Sequence, residues 1–300
     1  MATIDSGPLR LRAIQEFGGA AFRPEKLLPD FDPAIFDEAP ATGSADFYVP
    51  DKGRFTSSIH SWLFRLGERL VLVDTCMGQG KDDPQTAPFM RNLAAAGVRP
   101  EDIDLVVLTH LHTDHMKWTT RHDGERFVPT FPNARYVAGA REYAHWQPGG
   151  AGLSMHPVQA EILAECVAPL MAHGRLDLIG DDDEIAPGLR AMPVPGHTAT
   201  QLALHLDSGG RDYVFAADSL HHPVQIHRPH WGCFLCEDQV AALDSRLRLL
   251  DFAAATGAVL MPSHFGGGHA GLVHRDGDGF AFEPVRIDAS EPAAAPSLAN

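Results

Sequence analysis

From position 46 onward apolar residues recur with strand and helix periods, whereas before it the pattern is weak. Two short apolar runs, 61–66 and 70–74, flank Gly67-Glu68 and predict a hairpin. The second run is apolar throughout, as in a strand covered on both faces. Further short runs over 103–108, 134–138, 188–194, 201–206, 213–217 and 258–261 predict strands. Helical spacing marks 86–96, ended by Gly97, and 156–173, ended by Gly174, with a shorter turn over 140–146. The clearest helix covers 238–256, with Val240, Leu243, Leu247 and Leu250 expected on its buried face. The chain thus reads as one α/β body over residues 46–288. Residues 1–45, rich in Pro and Asp, are expected as an arm packing on that body or on a second subunit. The stretch 289–300, rich in Ala, Pro and Ser, is expected to be a disordered tail. No repeat at a fixed period is visible.

Composition narrows the function classes more than the fold. A length of 300 residues, 44% of them hydrophobic, suits a single large domain. The formal charge of -15 argues against nucleic acid, which needs clustered Lys and Arg, and against an anionic membrane surface. Cys233 and Cys236 form a lone Cys-x-x-Cys; with four cysteines in all there is no disulfide framework and no second pair for a zinc ribbon. They read as two thiols in a loop, one of them packed. No signal peptide or spanning stretch is recognisable, so the expected setting is cytoplasmic.

The candidate chemistry lies in the run His110-Leu111-His112-Thr113-Asp114-His115, followed downstream by His197, Asp218 and His264. Each of these segments comes at or just after the end of a predicted strand, where sites are usually built. His110 and His112 are two apart, so in extended chain both imidazoles point to one side. Asp114 and His115 follow a turn and reach a second ion beside the first. Imidazole and carboxylate ligands without thiolate suit zinc, and also manganese, iron or cobalt; two zinc ions per chain are expected. Paired catalytic metals sit about 3.5–4 Å apart and need a bridging group. Asp218 is the isolated candidate for it.

This run, with the later Gly-His, Asp and Ser-His, resembles the metallo-β-lactamase superfamily over roughly residues 45 to 285. Ser61-Trp62-Leu63-Phe64 followed by Leu72-Val73-Asp74-Thr75 is similar to that family's opening hairpin. The resemblance implies a four-layer αββα sandwich. It implies His110, His112 and His197 on one metal, Asp114, His115 and His264 on the other, and Asp218 between them. Zinc β-lactamases usually carry Cys where Asp218 stands and lack His at 264. The chain is more similar to the branch of N-acyl-homoserine lactonases and methyl parathion hydrolase-like enzymes. Many of those lactonases have Tyr three residues after the bridging Asp; here that residue is His221, as in the parathion-hydrolase-like members. Cys76 stands where the family often has Gly.

The expected activity is hydrolysis of a lactone or carboxylic ester of a small, fairly hydrophobic substrate by a metal-bridging hydroxide, with phosphotriester hydrolysis as the alternative. Thioester hydrolysis of the glyoxalase type, a one-iron persulfide oxygenase, a nuclease and a non-catalytic metal scaffold are the lesser readings. Asp114 is the candidate proton shuttle and His221 the candidate donor to the developing oxyanion; His222 reads as structural. Trp118, Trp231 and Phe234 are expected in an apolar pocket wall. Lys117 reads as an exposed side chain, or one narrowing the pocket mouth. Homodimerisation is a further expectation drawn from the related enzymes.

Overall fold

The computed structural model describes residues 2–81, 83–156 and 158–288. Two sheets pack face to face with helices on both outer sides, a four-layer αββα sandwich. One sheet runs in the order Ala2–Asp5, Gly279–Asp288, Ala270–Asp276, Val259–Pro262, Arg211–Ala217, Leu202–Ser208, Leu189–Pro193, Glu184–Ala186. The other runs Leu176–Ile179, Arg135–Gly139, Leu105–Leu108, Arg69–Val73, Arg54–Leu66, Arg12–Ala20. Leu66 pairs with Arg69 around Gly67-Glu68, which gives the expected hairpin.

The strand period explains the layering. Val71, Val73, Leu105 and Val107 face the other sheet and meet Leu204, Phe215, Val259 and Met261. Their neighbours Leu72, Val106 and Leu108 point the opposite way, onto Phe89 and Leu93 of the helix Pro88–Ala95 and onto Leu163 and Leu170. Because successive side chains alternate across a strand, a run apolar at every position must be covered twice. Ala203, Val214, Ala216 and Leu260 form the outer face of the first sheet, against Leu249, Leu250 and Ala253 of the helix Gln239–Thr256.

Three expectations need correction. The first 45 residues do not simply lie on the body, since Ala2–Asp5 pairs in parallel with Gly279–Asp288 and Arg12–Ala20 pairs with Arg54–Leu66. They close one edge of each sheet. The helix expected over 156–173 is two, Gln159–Cys166 and Ala168–Ala172. Pro169 has no N–H to continue the ladder, and the freed carbonyls of Glu165 and Cys166 accept from the Thr120 and Thr119 hydroxyls. In Gln239–Thr256 the buried face is Ala242, Ser245, Arg246, Leu249, Leu250 and Ala253, while Val240 and Leu247 are exposed. Ser245 and Arg246 turn inward because carbonyls of Pro195, Ser219 and Pro229 accept their hydrogen bonds. The expected tail 289–300 lies outside the described residues. Among the described residues no helix is long and apolar enough to cross a membrane.

Candidate metal centre

The metal-ligand-type residues converge where strand ends of the two sheets meet. His110 follows Leu105–Leu108 in one sheet; His197, Asp218 and His264 follow Leu189–Pro193, Arg211–Ala217 and Val259–Pro262 in the other. His110, His112 and His197 form one group with ligand atoms within 4.8 Å of one another, and Asp114, His115 and His264 form another. His112 Nδ1 lies 2.8 Å from His197 Nε2 and 3.1 Å from His110 Nε2. Asp218 touches members of both groups: its Oδ2 is 3.2 Å from His197 Nε2 and 3.1 Å from His264 Nε2.

Neighbouring groups orient each ring. Asp74 and Cys76 both have left-handed backbones, with φ of 59° and 53°, so the chain doubles back beside His115. Asp74 accepts from Thr109 N at 2.8 Å and from His115 Nδ1 at 2.9 Å. That bond leaves Nε2 of His115 turned to the centre, as a ligating imidazole needs. His264 Nδ1 donates to the Ser58 carbonyl at 3.0 Å, which likewise frees its Nε2. Gly196, at φ +136°, lets the His197 loop press on the start of Gln239–Thr256; a Cβ there would run into the Ala242 backbone.

Electrostatics and unpaired atoms fit divalent cations at this place. Burial holds His110 and His197 well below the ordinary imidazole range, in the neutral form that ligates. Burial alone would also lower His115, but Asp218, Asp114 and Asp74 prevail and raise it well above that range. His115 Nε2 and Asp218 Oδ1 face each other at 3.3 Å, both buried, and neither has a hydrogen-bond partner. His197 Nδ1 and both nitrogens of His221 are also buried without a hydrogen-bond partner, His221 Nε2 lying 3.5 Å from Asp218 Oδ2. Such concentrations of unsatisfied buried groups call for an ion.

A cavity of about 710 Å³ opens over Asp114, Asp218, His221 and His264. Its walls include Phe17, Phe22, Ile59, Trp146, Ile162 and Leu235, and no described lining residue is Lys or Arg. The expected aromatic walls lie elsewhere. Trp118 is fully buried on the helix side of its sheet, stacked on Phe89 and donating to Glu16 at 2.7 Å. Backbone bonds from Lys117 and Trp118 to Cys76 and Thr75 turn it away from the pocket. Trp231 packs edge-on to Phe31 in a separate apolar cluster, and Phe234 is half-exposed on the rim, beside Phe22. Lys117 pairs with Glu165 at 2.7 Å and does not line the cavity. His222 is buried, stacked on Phe55 and donating to the Phe47 carbonyl, a packing role.

Sequence reading missed Glu142. It is buried and accepts from Leu111 N at 2.9 Å, Trp146 Nε1 at 2.6 Å, Thr198 Oγ1 at 2.7 Å and Thr200 Oγ1 at 2.5 Å. It ties the 110–115 loop to the His197 loop. A single Glu on a short helix gives no local signal of this. The wall residues Phe17 and Phe22 were missed because they come from the weakly patterned N-terminus.

Residues 55–264 match the family model described as the metallo-beta-lactamase superfamily. A solved hydrolase of the beta lactamase superfamily, AbOPH, superposes with a TM-score of 0.79 at 25% identity, covering 94% of this chain and 96% of that one. AidC, a dizinc quorum-quenching lactonase in complex with an N-acyl homoserine product, superposes at 0.71 with 21% identity, over 91% and 92% of the two chains. An N-acyl homoserine lactone hydrolase with N-hexanoyl-L-homoserine bound at its catalytic metal centre gives 0.58 and 19%, over 85% and 92%. The last two, below 25% identity, share the fold.

Proposed function

The chain belongs to the metallo-β-lactamase superfamily, as a hydrolase, and we propose that it opens a lactone or cleaves a carboxylic ester of a small, apolar substrate using two zinc ions. The observation that supports this reading is an apolar cavity, with no Lys or Arg among its described lining residues, ending on a His/Asp cluster. Small-molecule sites of this kind hold a substrate's apolar part and leave orientation to a few polar groups. A phosphomonoester or a glutathione conjugate would meet no Lys or Arg among the described lining residues. A neutral phosphotriester fits the same description and is the second reading. AidC and the homoserine lactone hydrolase, which share the fold, carry acyl-homoserine products, and this favours the lactone.

His110, His112 and His197 would hold one ion and Asp114, His115 and His264 the other, with Asp218 shared. Ions there supply Lewis acidity and lower the pKa of a water nucleophile. Asp114, on the cavity floor, lies 3.6 Å from His264 Nε2 and 3.8 Å from His115 Nε2. There its carboxylate takes the nucleophile's proton and passes it to the leaving oxygen. His221 lines the cavity and stacks on His264, and a ring N–H from it stabilises the developing oxyanion. Trp146 and Ile162 exclude water from one side of the substrate.

The deciding experiment is kcat/KM of zinc-loaded protein on a medium-chain N-acyl-homoserine lactone, an aryl ester and a phosphotriester, with Asp218→Ala as control. A lactone value in the usual enzyme range of about 10⁴–10⁸ M⁻¹s⁻¹, well above the other two and lost in the control, supports the proposal. Uniformly weak values on all three refute it.

A further inference from the structure

Cys233 and Cys236 lie in the loop that precedes Gln239–Thr256, outside the metal-ligand cluster. Both are buried and free. Cys236 N donates to the Cys233 carbonyl at 3.1 Å, a tight turn, and the Gln239 amide donates to both carbonyls at 2.6 and 3.4 Å. A four-residue turn of this kind brings its end Cα atoms within about 7 Å, and a disulfide needs Cα atoms about 4.4–6.8 Å apart. The turn sets the two thiols near enough to interact, which lowers the Cys236 thiol pKa and raises that of Cys233.

A second, independent feature points to reactivity. Arg246, on the helix Gln239–Thr256 that follows this turn, is buried, and among the described residues no carboxylate pairs with it: Nε donates to Ser219 O and Nη1 to Pro229 O, while Nη2 has no hydrogen-bond partner. Its positive charge favours a thiolate at Cys236. A buried cation beside a thiol is what makes a cysteine nucleophilic rather than inert. Cys76 and Cys166 are buried too, and burial raises both.

We propose that Cys233 and Cys236 are an oxidative modification site, converted to a disulfide by a hydroperoxide, and that this change is felt at the hydrolytic centre. The Cys236 thiolate attacks the outer oxygen of ROOH; the O–O bond breaks, ROH leaves with a proton, and Cys236 becomes a sulfenic acid. The Cys233 sulfur then attacks the Cys236 sulfur; the S–O bond breaks and water leaves with the Cys233 proton. Two thiols and ROOH thus give a disulfide, ROH and water, and a dithiol reductant reverses it.

The route to the centre is short. Leu235, between the two cysteines, lines the cavity. Glu237 N donates to the His197 carbonyl at 3.1 Å and Asp238 N to Gly196 O at 3.0 Å. The Glu237 carboxylate accepts from Ala199 N at 2.9 Å and pairs with His145 at 3.1 Å. Drawing the sulfurs to the roughly 2.05 Å of a disulfide shifts this turn and with it the backbone that carries His197.

The test uses full-length, reduced, zinc-loaded protein exposed to graded hydrogen peroxide, blocked with N-ethylmaleimide and mapped by peptide mass. The expected result is a Cys233–Cys236 crosslink that forms before Cys76 or Cys166 loses its alkylation and is undone by dithiothreitol. In Cys233→Ser, dimedone should label Cys236; in Cys236→Ser it should leave Cys233 unlabelled. Oxidation of Cys76 or Cys166 first, or a sulfenic acid on Cys233 instead, overturns the assignment. Zinc transfer to a chromophoric chelator should change by about fivefold or more between reduced and oxidised protein, the low end of ordinary coupling between sites. An unchanged transfer rate overturns the link to the centre. Neither readout needs turnover, so an inactive hydrolase would sink the proposed function while leaving this site to be decided.

Discussion

Glu142 offers a direct test of how the centre is held. Its Oε1 accepts from Leu111 N and Trp146 Nε1, and its Oε2 from the hydroxyls of Thr198 and Thr200. The first two donors are fixed, whereas the hydroxyls can rotate. In Glu142→Gln the amide oxygen keeps the fixed donors and the NH₂ donates to the threonine oxygens, so mainly charge assistance is lost, about 2 kcal/mol in all. In Glu142→Leu two buried N–H groups lose their acceptor at about 1–3 kcal/mol each, or about 2–6 kcal/mol before any repacking. Leu should therefore destabilise more than Gln, by about 2 kcal/mol at the middle of that range, read by urea unfolding of chelated protein with linear extrapolation. Zinc affinity should fall as well, by about 10–100-fold for the Leu variant, because the carboxylate joins the loops that carry His112 and His197. Equal costs for the two variants would refute the reasoning that fixed donors decide.

Three further outcomes are expected. Burial lowers His222 to about 3 from the ordinary 6.5, so the unfolded chain binds the extra proton first; its share of stability is full above pH 6.5 and is lost as pH falls toward 3. Between pH 7 and 5 the native protein should lose about 2 kcal/mol more than His222→Gln in urea titrations, and parallel curves would contradict this. Gly196→Ala and Gly97→Ala both place Ala at positive φ, but only the first meets backbone. Gly196→Ala should cost at least about 2 kcal/mol more by urea unfolding and should lower the zinc bound per chain. Phe22→Ala, which trims the cavity wall, should reduce kcat/KM for a decanoyl substrate by about tenfold while sparing an acetyl one, roughly 1.4 kcal/mol of lost apolar contact. An equal loss on both would place Phe22 away from the acyl chain.

The interior strands and the site sequence were legible because their signals are local. Alternation at Leu105–Leu108 and Arg69–Val73 follows from the backbone pleat and dictates two covered faces wherever those strands lie. His110, His112, Asp114 and His115 declare themselves by spacing, and His197, Asp218 and His264 by their place at strand ends. Tertiary structure alone decided which residues meet. Ala2–Asp5 finds Val285 to Asp288 across almost the whole chain, and no nearby residue encodes that pairing. Trp118 and Trp146 look alike in sequence; backbone hydrogen bonds to the 74–76 loop send the first into the core, and the helix Ala140–His145 delivers the second to the cavity. Glu142 acquires meaning only from partners brought from distant segments. Secondary structure follows from short-range sterics and periodicity, whereas a pocket wall or a buried polar hub depends on long-range contacts that the fold selects as a whole.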